Sequence, residues 1–221
     1  MVHNSPMSPV LNLISYAQNG EDVVLWRAFN EELAGFYVDL GAGHPTRGSV
    51  TKLLHDNLGW SGLEIEALPE LAEELKSERT RSKVLNVAVS NEATRGSKTF
   101  YEFPEDWAIS TLKPEIAGAQ TSKGVKPLER QVPVMSINDI LQDHHVRKNF
   151  ELLKVDIEGA DLEVLRSLDF ESWAPKVILA ETLCPVKKER QGSEFLKLLE
   201  PKGYRETLFD GINSFFVHRD W

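Results

Sequence analysis

The chain has 221 residues, a net charge of −9, 41% hydrophobic and 27% charged residues. That length suits one α/β domain with a sizeable core, and the acidic balance argues against a general nucleic-acid binder, which needs a basic face to displace counterions. A single cysteine, Cys184, excludes an internal disulfide framework and a multi-cysteine metal site, and no apolar run reaches the length of a membrane span.

Residues 1–14 read as a loose polar arm without the basic and apolar regions of a secretory signal, so a cytoplasmic location is expected. Glu21–Phe29 has helical spacing with acids in its first turn. Phe36–Leu40 is the first predicted strand, followed by a glycine-rich turn and a helix from Ser49 to Leu58. Leu63–Glu66 is the second strand, Pro69–Ser77 a polar helix and Val84–Val89 the third strand. Residues 92–134 break the alternation with β-rich pieces, Lys98–Phe103 and Arg130–Val134, around a loop containing Pro114 and Gly118. This segment is too short to bury a core of its own and reads as an insertion on the substrate side of a single domain spanning 1–221.

Ser136 is placed to cap a helix. Leu152–Ile157 is a fourth strand, Ala160–Leu168 a short helix, Val177–Ala180 a fifth strand, and a further helix runs through Phe195–Leu199. Tyr204–Phe209 and Ser214–His218 flank Asp210-Gly211, a strong hairpin signal. Apolar strands alternating with helices predict a Rossmann-like α/β fold. Its mostly parallel seven-stranded sheet would carry a C-terminal antiparallel hairpin and helices on both faces.

Asp39, Gly41, Ala42 and Gly43 end the first strand in a turn that lets backbone pass close beneath a ligand, or that simply joins strand to helix. Thr46 stands where a dinucleotide-binding turn has its third glycine, which shifts weight from NAD toward a cofactor without phosphates. Glu66 ends the second strand 25 residues after Gly41, where a carboxylate can accept both hydroxyls of a ribose. Neighbouring Glu64 points to the opposite face, where a salt bridge is expected. Asp156 and Glu158 follow the fourth strand; together they suit a divalent cation, or Asp156 suits a base on a hydroxyl. The competing reading is that they bond the turn and cap the next helix. Glu181 ends the fifth strand and lines the same cleft in this layout. His44, inside the glycine-rich turn, is the histidine placed to touch substrate. Lys154, on an otherwise apolar strand, is expected to snorkel or to pair with an acid. Trp107, Ser110 and Thr111 offer a substrate wall or ordinary loop packing, and Trp107 and Tyr101 suit stacking on a sugar.

Several ordered blocks carry a family resemblance. They are Ser15–Asp22, Tyr37–Ala42 with Pro45 and Ser49, Gly59–Gly62 with Ile65-Glu66, Asn86–Ser90, Leu153–Ala160 and Pro175–Ile178. The chain resembles the FkbM-type methyltransferases, which use S-adenosylmethionine (SAM). Ala67 stands where that family usually has proline, and Asp161 where it usually has glutamate. The resemblance implies SAM over Asp39, Gly41, Ala42 and Gly43, with Ser49 nearby and Glu66 and Ala67 at the ribose. It also implies Asn86 and Ala88 near the adenine, and Gln18 and Glu21 in a segment closing over the pocket. The expected reaction is O-methylation of a small molecule or glycan, a sugar before a polyketide-like acceptor, with Asp156, Glu181 and His44 as catalytic candidates. A divalent cation on Asp156 and Glu158 would assist. The alternatives are an NAD-dependent oxidoreductase and a non-catalytic binding module of the same fold.

Overall fold

The computed structural model describes residues 14–30, 33–91, 95–184, 186 and 188–221. The arm expected over residues 1–14 lies outside them except for Ile14. Helix α1 spans Glu21–Ala28, strand β1 Phe36–Leu40, α2 Lys52–Leu58, β2 Ser61–Ile65, α3 Pro69–Glu78, and β3 Lys83–Leu85. Next come β4 Ala88–Ser90, β5 Gly96–Glu102, α4 Pro114–Thr121, β6 Leu128–Ser136 and α5 Ile137–Asp143. The chain ends with β7 Leu152–Val155, α6 Asp161–Ser167, β8 Val177–Glu181, α7 Gly192–Leu199, β9 Tyr204–Phe209 and β10 Asn213–His218.

A seven-stranded sheet has the order β3-β2-β1-β7-β8-β10-β9. Strands β3 to β8 in that order are parallel, and β10 runs antiparallel to both β8 and β9. The hairpin forms at Asp210-Gly211, where the Asp210 carboxylate accepts the N–H groups of Ile212 at 2.8 Å and Asn213 at 2.7 Å. Alternation divides each central strand between two cores. Val38 and Leu40 join Ile140 of α5, Val164 of α6 and Phe195 of α7 on one face. Tyr37 and Leu152 meet Leu25 of α1 and Leu54 of α2 on the other. Among the described residues, no helix is long and apolar enough to cross a membrane.

Four elements depart from expectation. The single strand expected over Val84–Val89 is two strands in different sheets, because β4 belongs to a three-stranded sheet with order β4-β6-β5. Between them the Asn86 amide donates to the carbonyls of Glu66 and Ala67, both at 2.9 Å, and draws the chain off the large sheet. Helix α2 begins at Lys52 rather than Ser49, whose hydroxyl is engaged by Arg79 at 3.0 Å. Strand β7 stops at Val155 rather than Ile157. There the buried Asp161 carboxylate takes the N–H groups of Ile157 at 3.1 Å and Gly159 at 3.0 Å, winding Asp156–Gly159 into a turn.

Within the loop expected around Pro114 and Gly118 lies α4, with Pro114 in its first turn, where a missing N–H costs no hydrogen bond. The smaller sheet packs Phe100, Val132 and Val134 against Ala67, Leu68 and Leu71, at the junction of β2 and α3. The Ser136 hydroxyl caps α5 by accepting the Asp139 N–H at 3.1 Å, as expected.

A charged network is buried beneath the turn that follows β1. Glu64 meets the Arg79 guanidinium at 3.1 Å and accepts from the Tyr37 hydroxyl at 2.7 Å, and neither charged side chain is exposed. Arg79 also donates to the Pro45 carbonyl and the Ser49 hydroxyl, so it supports the turn from below. Burial, with Asp39 adding, pushes Glu64 up to about 7 although Arg79 opposes the shift. Arg79→Ala leaves Glu64 without its cation. The expected loss is about 3–5 kcal/mol in urea unfolding at pH 8. The loss should be smaller at pH 6, where Glu64 goes neutral by taking up a proton. A loss independent of pH would contradict the pairing.

Candidate active site

In an open α/β sheet the crevice lies beyond the carboxyl ends of the strands, where the strand order reverses. Here that point is between β1 and β7, and a cleft of about 400 Å³ opens there. Its floor is Gly41-Ala42-Gly43, held to β2 by the N–H groups of Gly41 and Ala42, both 3.0 Å from the Ile65 carbonyl. Gly41 has φ 78°, and a Cβ there would stand 1.9 Å from the Asp156 carbonyl. Gly43 has φ 64°, and its Cβ would lie 2.6 Å from the Trp107 ring. Both positions therefore demand glycine on two counts, backbone handedness and space.

Glu66, Ala67 and Ala88 line the cleft as expected. The Glu66 carboxylate is anchored at both oxygens, accepting the N–H of Gly43 and of Leu68, each at 2.8 Å. Each oxygen keeps a lone pair for a ligand hydroxyl. Burial raises the Glu66 pKa, against the pull of those two N–H groups.

Asp39 is not on the cleft wall. It is buried under the floor, 3.2 Å from the Lys154 ammonium and accepting from the Thr51 hydroxyl at 3.1 Å. Lys154 does reach the cleft. Its ammonium donates to the Gly41 carbonyl at 2.6 Å and lies 3.6 Å from Asp156. Burial alone would lower the Lys154 pKa, but Asp39 and Asp156 raise it, so the ammonium stays charged. The expected pairing of Lys154 with an acid is what the structure shows.

At the far end Asp156, Glu158 and Glu181 converge, one oxygen of each lying within 4.8 Å of the others. Burial, then Asp156 and Glu181, push Glu158 up to about 10. Burial, then Asp156 and Asp161, push Glu181 up to about 9. Glu158 and Glu181 therefore hold protons at neutral pH unless a cation joins the cluster. The donor set is all carboxylate oxygen, which suits a hard cation such as Mg²⁺ or Ca²⁺.

The smaller sheet supplies the roof. Trp107 and Ser110 line the cleft, while the buried Thr111 hydroxyl donates to the Glu158 carbonyl at 2.8 Å. That bond ties the roof to the acidic turn, where Glu158 has φ 51°. Tyr101 is absent from the described cleft wall; its backbone bridges to Thr111 instead.

Four other expected site residues serve as supports. His44 is turned away from the cleft: its Nδ1 accepts the N–H groups of Thr46 at 3.0 Å and Arg47 at 3.1 Å, and its Nε2 lies 3.8 Å from Glu74. Glu21 accepts from the Asn19 N–H and the Asn213 amide, both at 2.7 Å, fastening to β10 the segment that carries Gln18 to the cleft. Ser49 and Asn86 make the contacts with Arg79, Glu66 and Ala67 described above. Sequence reasoning missed Arg47 and Phe100 as lining residues. Arg47's place directly after the glycine turn was the available signal; Phe100 had none beyond its strand.

Residues 39–206 match the methyltransferase FkbM domain family. A curated protein, Methyltransferase 1 of Beauveria bassiana (strain ARSEF 2860), is 40% identical over 76 residues, covering 34% of this chain and 30% of that protein. The chain thus matches under a third of that relative's length. Similar solved structures include a putative SAM-dependent methyltransferase from Methanococcus maripaludis, with TM-score 0.46, 12% identity, and coverage of 96% of this chain and 97% of that one. Another is a TehB-like SAM-dependent methyltransferase from Corynebacterium glutamicum ATCC 13032 Kitasato, with TM-score 0.44, 10% identity, and coverage of 90% and 87%. With the family match running from Asp39 in β1 to Glu206 in β9, the chain belongs to the FkbM methyltransferase family.

Proposed function

We propose that the cleft binds SAM and that the protein is an O-methyltransferase acting on a hydroxyl of a small molecule, a glycan before a polyketide-like acceptor. The observation that carries the reading is the carboxyl-rich lining of the cleft. Among the described residues, Glu66, Asp156, Glu158 and Glu181 face it against two cations, Arg47 and Lys154. The crowded Glu158 and Glu181, neutral until a cationic ligand arrives, can ionise toward a sulfonium but not toward a diphosphate, so the lining favours the sulfonium. The cleft volume of about 400 Å³ also suits a ligand of this size.

In this reading Glu66 accepts the ribose hydroxyls, the floor Gly41–Gly43 runs beneath the donor, and Ala67, Leu68 and Ala88 give the adenine an apolar seat. When bound, SAM supplies a methyl group already activated for transfer, so the protein's task is mainly positioning. Asp156 takes the acceptor's proton, with Glu181 beside it. Lys154 holds the floor and Asp156 in one arrangement. The roof residue Trp107 supports the glycan preference, since an indole face suits a sugar ring.

Calorimetry with the whole chain should show binding of SAM and of S-adenosylhomocysteine (SAH) but not of NAD. Glu66→Gln should weaken SAM by about 10- to 100-fold. NAD binding in place of SAM would overturn the reading. Transfer of labelled methyl groups should be seen with a panel of glycan hydroxyls; labelling confined to amines would refute O-methylation.

The acid cluster predicts a proton signature. Glu158 and Glu181, at about 10 and about 9, are neutral at pH 8, and an arriving cation favours their charged forms. SAM binding at pH 8 should therefore release protons, read as heat that varies with the buffer's ionisation enthalpy. SAH, which lacks the sulfonium charge, should release fewer. SAM affinity should rise from pH 7 toward pH 9, and Glu181→Gln should reduce the released protons. Equal proton release by the two ligands would break the link between sulfonium and cluster.

A further inference from the structure

Two cations line the cleft among the described residues, and they are used differently. Lys154 is buried and committed: its ammonium contacts Asp39 at 3.2 Å, the Gly41 carbonyl at 2.6 Å and Asp156 at 3.6 Å. Arg47 lines the cleft and is exposed, and among the described residues its guanidinium makes no hydrogen bond or ion pair.

An exposed arginine on a loose loop would need no explanation. This loop is braced on both sides of Arg47. The His44 ring accepts the N–H groups of Thr46 and Arg47 at 3.0 and 3.1 Å. From below, Arg79 holds the Pro45 carbonyl and, at 3.0 Å, the Ser49 hydroxyl. The backbone is set, and the free guanidinium extends from it onto the cleft wall. Gln18, also exposed, lines the same cleft and offers an amide donor.

The cleft therefore carries an uncommitted, exposed cation at Arg47 and carboxyl groups at Glu66 and in the Asp156–Glu158–Glu181 cluster. SAM and SAH carry one anionic group, the α-carboxylate of the amino-acid tail. Elsewhere in the cleft a carboxylate would meet acids, the committed Lys154 or side chains without charge, such as Val87, Phe100 and Leu112. We infer that Arg47 holds that α-carboxylate, with Gln18 as a second donor. The planar guanidinium fork matches a carboxylate with two parallel N–H donors, which an ammonium cannot reproduce. The His44–Arg79 bracing then acts as the positioning device for Arg47.

This inference rests on the SAM reading of the cleft, and the test separates the two. Calorimetry on the whole chain compares SAH with 5′-methylthioadenosine, which shares the adenosine and the sulfur but lacks the amino-acid tail. Arg47→Gln should weaken SAH by about 10- to 100-fold and leave methylthioadenosine unchanged. Arg47→Lys should fall between wild type and Arg47→Gln for SAH. Added salt should weaken SAH binding to the wild type more than to Arg47→Gln. If neither compound binds the wild type, the cofactor reading itself fails. If both bind and Arg47→Gln holds SAH as the wild type does, the Arg47 assignment is overturned and the cofactor reading stands. An equal loss for both compounds would also overturn it, since that outcome makes Arg47 a support for the loop.

Discussion

The Asp39–Lys154 ion pair is the contact on which the cleft depends. The two residues are register partners on neighbouring parallel strands, β1 and β7, at the point where the strand order reverses. Their charges meet at 3.2 Å in the interior. Either charge alone would be costly there, so each strand makes the other's polar residue tolerable. The same ammonium grips the Gly41 carbonyl and lies near Asp156. One buried cation thus sets the height of the floor relative to the acidic turn. The glycine requirement at Gly41 follows directly, because the two backbones are drawn too close for a Cβ between them.

The sequence made the parallel strands legible because a strand buried on both faces reads as a short, nearly continuous apolar run between turn signals. Phe36–Leu40, Val177–Ala180 and the hairpin around Asp210-Gly211 all fall within a residue or two of the strands found. The change of sheet at Asn86 was hidden, since an apolar pattern looks the same on either sheet and only a side-chain amide marks the break. Helix α4 was hidden by Pro114 and Gly118, which signal a loop by composition although proline is harmless in a first turn.

The site was legible to a different depth. Residue type and strand-end position located Glu66, Asp156 and Glu181 in the cleft. They did not reveal which polar groups look outward and which turn inward to satisfy backbone. Asp39, Glu21, Ser49, Asn86 and His44 all face protein partners, and each holds in place something that does line the cleft or lies next to it. A one-dimensional pattern cannot separate a ligand-facing carboxylate from one spent on a buried amine or amide, because both need the same residue at the same strand end.

The smaller sheet leaves and rejoins the chain at one place. Strands β4 and β6 are parallel partners, with Ser90 paired to Ser136, and Ser136 is also the cap that starts α5. Everything between those two serines is an excursion whose ends are hydrogen-bonded neighbours. Its interior can therefore lengthen, shorten or be exchanged without moving a strand of the large sheet. In evolutionary terms the floor and the roof of the cleft are separable: selection can rewrite the roof while the strands beneath it are inherited intact.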